Sequence, residues 1–246
     1  MPAIEQAAIL CGGLGTRLGA LTAATPKPLL PVGERPFLDI LLESLGQADV
    51  RRILLLAGFM AERIADYAAA TPVKPRFGLS VEVAAEPYPA GTGGALWHAR
   101  DGLDEAFYLL NGDSWFDIPV QNLGEQLLGD SSSIGIVALR EVADASRYGS
   151  VRMEGDRIAE FAQRPAEPGP GVISGGIYAF RRALLDHLSD RVSLERDVLP
   201  ALAAAGALRG VSFDGYFIDI GVPEDLARAR RELGDKNRDR TSGLPR

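Results

Sequence analysis

Gly12, Gly13 and Gly15 follow the short apolar run Ala7-Ala8-Ile9-Leu10-Cys11, and behind them stand an isolated Arg17 and an isolated Lys27. An apolar strand that runs into closely spaced glycines exposes backbone N–H groups, because no Cβ blocks an approaching anion. Arg17 can grip phosphate oxygens with a planar fork, whereas Lys27 is a compact point charge. Pro26 and Pro28 flank Lys27 and restrict its backbone, which aims the side chain. Of the 26 basic residues only Lys27, Lys74 and Lys236 are lysine, so a lysine between two prolines departs from the ordinary surface charge of this chain. The pattern predicts a cradle for a phosphorylated ligand. It is neither of two familiar phosphate loops. The dinucleotide fingerprint meets Leu18 where its third glycine belongs, and no glycine here precedes a lysine as a P-loop requires.

Two carboxylates have spacing that could serve the same chemistry. Asp113 follows the apolar run Ala106–Asn111 in Leu-Leu-Asn-Gly-Asp, where an ordinary turn aspartate is the alternative. In Tyr-Phe-Ile-Asp-Ile-Gly, a side-chain period of two puts Ile218 and Ile220 on one face and Asp219 on the other. A carboxylate inside an apolar strand is costly unless a cation faces it, and the alternative to a functional role is a buried Asp–Arg pair. No Ser/His/Asp arrangement is needed. His98 and His187 fall in expected helices as packing or surface residues, and Cys11 reads as a small core side chain.

The elements that must position these residues alternate along the first half. Residues 7–11, 52–57, 79–85 and 106–111 read as strands, and 36–48, 60–70 and 92–103 as helices. Such alternation predicts an α/β fold, a mixed and mostly parallel sheet with helices on both faces, and binding residues beyond the carboxyl ends of the strands. In the second half, 132–140, 172–180 and 215–221 read as strands. Residues 149–161 read as a hairpin turning at Glu154-Gly155-Asp156, and 222–233 as a helix. Residues 234–246 have no apolar face and are expected to be disordered.

At 246 residues, 46% hydrophobic and 24% charged, the chain can bury a full core. Its net charge of −7 argues against a general nucleic-acid surface. One cysteine allows no intrachain disulfide and fits a reducing cytoplasm. The first ten residues lack the basic and apolar regions of a signal peptide, and aliphatic runs such as Ile53–Ala57 are too short to span a bilayer, so no membrane partner is expected.

The stretch Gly-Gly-Leu-Gly-Thr-Arg-Leu followed by Pro-Lys-Pro-Leu resembles the signature of the sugar-nucleotide pyrophosphorylases, and the resemblance runs from about residue 6 to about residue 233. It implies a single Rossmann-like nucleotidyltransferase domain, with a nucleotide-binding part over about 1–118 and a sugar-binding part over about 119–233. It further implies Mg²⁺ as cofactor and a nucleoside triphosphate and a sugar 1-phosphate as partners, with a homodimer left open. Carried over, the nucleotide-binding residues are Leu10, Gly12, Gly13, Gly15, Thr16, Arg17, Glu86, Gly91, Thr92 and Gly112. Arg17, Lys27 and Asp113 are the implied catalytic residues, and Asp113 and Asp219 the implied metal ligands. Lys27, Gly149, Gln163, Arg164, Ser174, Gly176 and Glu195 are the implied sugar phosphate residues.

Asn-Gly-Asp-Ser-Trp-Phe-Asp-Ile, Arg-Tyr-Gly-Ser-Val, Ser-Gly-Gly-Ile-Tyr-Ala-Phe and Ser-Leu-Glu-Arg-Asp-Val-Leu-Pro resemble the D-glycero-α-D-manno-heptose 1-phosphate guanylyltransferase branch, with mannose-1-phosphate guanylyltransferases nearby. Glu86 suits guanine, whose adjacent N1–H and N2–H₂ donors one carboxylate can accept together; a solvated strand-end glutamate is the alternative. Trp115 would either stack on the sugar or pack. The chain departs from the family's Phe-x-Glu-Lys-Pro at Phe161-Ala162-Gln163-Arg164-Pro165, which keeps a cation but removes an anion. Val222 replaces the more usual threonine without a functional reading. A second, acyltransferase domain is not expected.

Overall fold

Period-two alternation along the apolar runs builds a sheet with a buried core on each face. The computed structural model describes residues 3–162 and 167–234. In β1 (Gln6–Leu10) Ala7 and Ile9 enter one core and Ala8 the other. A short ribbon of β2 (Pro31–Val32) and β3 (Arg35–Pro36) leads into α1 (Phe37–Gln47), which buries Phe37, Leu38, Leu41, Leu42 and Leu45 at helical spacing. In β4 (Arg52–Ala57) Leu55 lies on the face of Ile9, while Leu54 and Leu56 lie on the other. Helices α2 (Ala61–Ala70) and α3 (Val73–Phe77) precede β5 (Ser80–Ala85), and α4 (Gly91–His98) precedes β6 (Ala106–Asn111).

Strands β5, β4, β1 and β6 lie side by side and parallel. Their carboxyl ends at Ala85, Ala57, Leu10 and Asn111 therefore open on the same edge of the sheet. After β6 the chain makes β7 (Ser114–Phe116), α5 (Gln121–Gly129), β8 (Gly135–Val142), and the hairpin of β9 (Ser150–Glu154) and β10 (Arg157–Ala162). Then follow β11 (Gly171–Arg181), α6 (Leu199–Ala204), β12 (Leu208–Ser212), β13 (Phe217–Asp219) and α7 (Pro223–Gly234). β11 joins β6 and β8 antiparallel, and the hairpin closes the far edge beyond β12, giving the order β5-β4-β1-β6-β11-β8-β12-β10-β9 among the described residues.

Three expectations change in detail. The strand expected over 215–221 is only Phe217–Asp219, and it pairs with β7 in a separate ribbon rather than in the main sheet. The helix expected over 92–103 ends at His98 and continues as a 3₁₀ turn at Arg100–Gly102. β12 was not foreseen, because Leu-Arg-Gly-Val-Ser carries too little alternation to announce a strand; it is held by its parallel pairing to β8. The tail from 235 onward lies outside the described residues. Among the described residues no helix is long and apolar enough to cross a membrane.

Candidate active site

Backbone contacts around the glycines set the floor of the site. The Gly112 N–H donates to the Leu10 carbonyl at 3.0 Å, and a Cβ on Gly112 would stand 2.3 Å from that oxygen, so only glycine fits. A Cβ on Gly12 would approach the Gly58 nitrogen at 3.1 Å and Glu86 Oε1 at 3.2 Å, whereas Gly13 faces open space. Gly15 has φ +64° and turns the chain into a 3₁₀ segment over Thr16–Thr22, pinned by Thr22 Oγ1, which donates to the Gly15 carbonyl. Thr16 and Arg17 are exposed on this turn. A Cβ on Gly221 would lie 3.1 Å from Arg17 Nη2 and 2.6 Å from Asp219 Oδ1, so guanidinium and carboxylate flank the same glycine.

Lys27 opens a 3₁₀ turn between its two prolines, and its Nζ donates to Asp113 Oδ2 at 2.6 Å. Asp113 precedes β7, and in the ribbon Asp219 stands opposite Ser114 while the Ile220 N–H donates to the Asp113 carbonyl at 2.8 Å. The ribbon thus brings both aspartates together, with Ile218 and Ile220 wholly buried beneath. Burial pushes the Asp219 carboxyl up to about 6. The neighbouring Asp113 pushes the same way, against the Gly221 N–H, Lys27 and Arg17. Two carboxylates that repel each other at a polar cleft are a donor set suited to a hard divalent cation, which takes few protein oxygens and keeps phosphate and water ligands. No cluster of three or more His, Cys, Asp or Glu side chains exists among the described residues. A cation at this pair would have two protein carboxylates as donors, and Mg²⁺ is compatible with so few.

The loop after β5 forms the second wall. Glu86 Oε2 accepts from the Ala90 N–H at 3.2 Å, and a Cβ on Gly58 would lie 2.1 Å from Glu86 Oε1. Burial raises the Glu86 carboxyl. Gly91, at φ +82°, lets the start of α4 close on 192–195, where the Gly93 and Gly94 N–H groups donate to the Val192 carbonyl. Thr92 Oγ1 donates to Glu195 Oε2 at 2.5 Å and accepts from the Leu194 N–H at 2.9 Å. Residues assigned by resemblance to the nucleotide and to the sugar are therefore in direct contact.

A cavity of about 180 Å³ lies between these walls, lined by Leu10, Gly13, Lys27, Thr92, Gly112, Asp113 and Glu195, with Cys11, Pro28 and Asn111. A larger one, about 280 Å³, opens elsewhere around Gln6, Arg52 and Asp104. There Arg52 is paired with Asp104, both polar ends of Gln6 are hydrogen-bonded, and the carboxylates of Glu82 and Asp101 share the lining.

Not every expected residue reaches the cavity. Ser174 Oγ donates to the Tyr178 hydroxyl at 3.0 Å and accepts from the Gly176 N–H, within an irregular stretch of β11 where Gly176 has φ +73°. Gly149 is exposed beside the Ala162 carbonyl, and Gln163 and Arg164 lie outside the described residues. Trp115 packs on Tyr216, His98 against Tyr88 and Trp97, and His187 is exposed. Cys11 is buried, which pushes its thiol up.

Three residues escaped the sequence. Gly58 follows β4 as the glycine turn follows β1, and makes room for Glu86. Tyr148, raised by burial and by Asp219, packs on Phe217 beside the second aspartate. Asn111 stood in the Asn-Gly-Asp run but carried no distinctive spacing.

Comparison with known proteins agrees with this architecture. A family model described as nucleotidyl transferase matches residues 6–236. The D-glycero-α-D-manno-heptose 1-phosphate guanylyltransferase of Campylobacter jejuni subsp. jejuni serotype O:2 is 35% identical over 224 residues, covering 89% of this chain and 96% of that protein. The enzyme of the same name from Aneurinibacillus thermoaerophilus is 31% identical over 231 residues, covering 93% and 98%. Among solved structures, HddC from Yersinia pseudotuberculosis complexed with GMP-PN superposes with a TM-score of 0.80 at 30% identity, covering 94% of this chain and 100% of that one.

Proposed function

The chain belongs to the nucleotidyl transferase family, and from that premise we propose that it joins GTP to a sugar 1-phosphate of manno configuration, D-glycero-α-D-manno-heptose 1-phosphate first among them. The products are a GDP-sugar and pyrophosphate. The observation that carries the reading is the convergence of Lys27, Asp113 and Asp219 beyond the glycine turn, at a cavity that Glu195 also lines.

In this reading a non-bridging oxygen of the sugar 1-phosphate attacks the α-phosphorus of the triphosphate in line. One P–O bond forms, the bond to the β-phosphate oxygen breaks, and pyrophosphate departs with the electron pair. Nothing in the step needs a protein nucleophile. The work is to hold two anions against their repulsion and to stabilise charge as it shifts to the leaving group. Arg17 and the backbone of Gly12, Gly13 and Gly15 receive the triphosphate, and Lys27 bridges the two phosphates. Asp113 and Asp219 would hold Mg²⁺, which would supply charge neutralisation at the α-phosphate. Glu86 accepts from the Watson–Crick edge of guanine, and Glu195 from hydroxyls of the sugar. Residues 1–118 then serve the nucleotide and 119–233 the sugar, in a protein working in the cytoplasm.

Mannose 1-phosphate is the second reading, favoured by the same manno configuration. Pyrophosphate release, measured with Mg²⁺ for four nucleoside triphosphates crossed with heptose, mannose, glucose and N-acetylglucosamine 1-phosphates, decides between them. GTP with a manno-configured sugar is expected to be fastest. Silence with every pair would favour a nucleotide-sugar sensor on the same fold.

A further inference from the structure

Asn111 closes β6 and lines the cavity, yet no step above uses it. Its Oδ1 is buried and has no hydrogen-bond partner among the described residues. Leaving a carbonyl oxygen in that state is costly, and native structures seldom keep such a group without a use. The residue is also firmly mounted, because β6 is central and pairs with β1 on one side and β11 on the other. Across from it β11 breaks register at Gly176, where a Cβ would stand 2.9 Å from Asn111 Nδ2 and 2.8 Å from Ser114 Oγ. The glycine leaves the amide uncrowded.

An unpaired acceptor needs a donor, and the cavity supplies few. Asp113 and Glu195 are acceptors when ionised, and the ammonium of Lys27 is directed at Asp113 and forms no hydrogen bond with Asn111. Phosphate oxygens at neutral pH accept as well. The donors of guanine are expected at Glu86, which does not line this cavity. Hydroxyl groups remain, either of the sugar on the 1-phosphate or of the ribose on the nucleotide. Asn111 lines the cavity together with Glu195, the residue that the sugar reading assigns to hydroxyl groups.

We propose that Asn111 is a specificity residue for the acceptor sugar, its Oδ1 accepting a hydrogen bond from one hydroxyl of the sugar 1-phosphate. The inference rests on the functional reading above and adds the side chain that reads one position of the ring.

The test compares the wild-type protein with Asn111→Ala and Asn111→Ser in steady-state pyrophosphate release. Substrates are mannose 1-phosphate, its analogues deoxygenated at one ring position at a time, and GTP with its 2′-deoxy and 3′-deoxy forms. A GTP-induced thermal shift reports on folding and nucleotide binding. The expected result is a rise of about tenfold in the sugar KM of Asn111→Ala, with the GTP KM and thermal shift unchanged within twofold. One deoxy sugar should be penalised by the wild type and not by the variant. An unchanged sugar KM overturns the proposal, as does a penalty at every position that is equal in both proteins. Coupling that appears with the deoxy nucleotides instead assigns the amide to ribose and overturns it too. Should Asn111→Ala fail to fold, Asn111→Ser carries the same comparison. A wild-type protein that turns over no sugar 1-phosphate overturns the functional reading itself, visibly and before any variant is made.

Discussion

The ammonium of Lys27 stands 2.6 Å from the carboxylate of Asp113, so the cation assigned to phosphate and an anion assigned to metal neutralise each other. Only 11% of the Lys27 side chain is exposed, which keeps the charge from being lost to solvent. The ribbon of β7 and β13 brings Asp219 to the same place, opposite Ser114.

Lys27→Ala is expected to lower kcat/KM by about 10²–10³-fold, the scale for removing one preorganised charge at a reacting phosphate. Lys27→Arg should recover little, because a planar fork does not reproduce a point charge between two prolines. Steady-state pyrophosphate release checks both. Retention of a tenth of wild-type activity by the alanine variant would contradict the role.

Asp219→Asn is expected to stabilise the fold while abolishing turnover. The folded carboxyl sits at about 6, above the ordinary aspartate value of 3.8, so between those values the folded state holds more protons than the unfolded chain. Wild-type stability therefore falls as pH rises through that window, and the full cost is present above pH 6. The amide carries no such cost and keeps an oxygen for the Gly221 N–H. Urea unfolding without divalent metal should show the variant more stable by on the order of 1–3 kcal/mol at pH 7.5, with the gap narrowing below pH 5.

Glu86→Gln tests the base. If the carboxylate accepts both donors of guanine, the variant loses discrimination for GTP over UTP by about ten- to a hundredfold in kcat/KM. An unchanged ratio across the nucleotide panel would remove Glu86 from base recognition.

Thr92→Val should raise the sugar KM several-fold, since Thr92 Oγ1 ties down Glu195 and caps the Leu194 N–H. Thr92→Ser keeps the hydroxyl and is expected to restore it. Equal behaviour of both variants would contradict a role for the hydroxyl alone.

Gly112→Ala is expected to destabilise the protein by about 1–3 kcal/mol in denaturant unfolding, because the new methyl would press on a strand carbonyl rather than a yielding side chain.

The parallel half of the sheet was legible because each strand is a short apolar run bounded by an amphipathic segment, and Ile9, Leu55 and Tyr108 fall on one face as the alternation requires. The glycine turn and Lys27 stood out by type and spacing, whereas Asp113 was singled out only by the family resemblance, its Asn-Gly-Asp run being that of an ordinary turn. Asp219 was legible as an anomaly, a charge inside Phe-Ile-Asp-Ile, but the sequence did not show which strand its own would pair with. No local pattern separates a three-residue ribbon from a core strand; only the distant partner Ser114–Phe116 does. Asn111 and Gly58 stayed hidden for a related reason. Their importance comes from what they face, Gly176 and Glu86, and one chain carries no mark of such encounters.

The β7–β13 ribbon also sets a schedule for biosynthesis. Phe116 and Phe217 are opposite one another although roughly a hundred residues separate them in the chain. A nascent polypeptide emerging from the ribosome has its glycine turn, Lys27 and Asp113 long before the second aspartate exists. Until the last helix-bearing segment docks, such a chain is a half-built site whose anionic pair has not yet met, so catalytic competence arrives late and all at once.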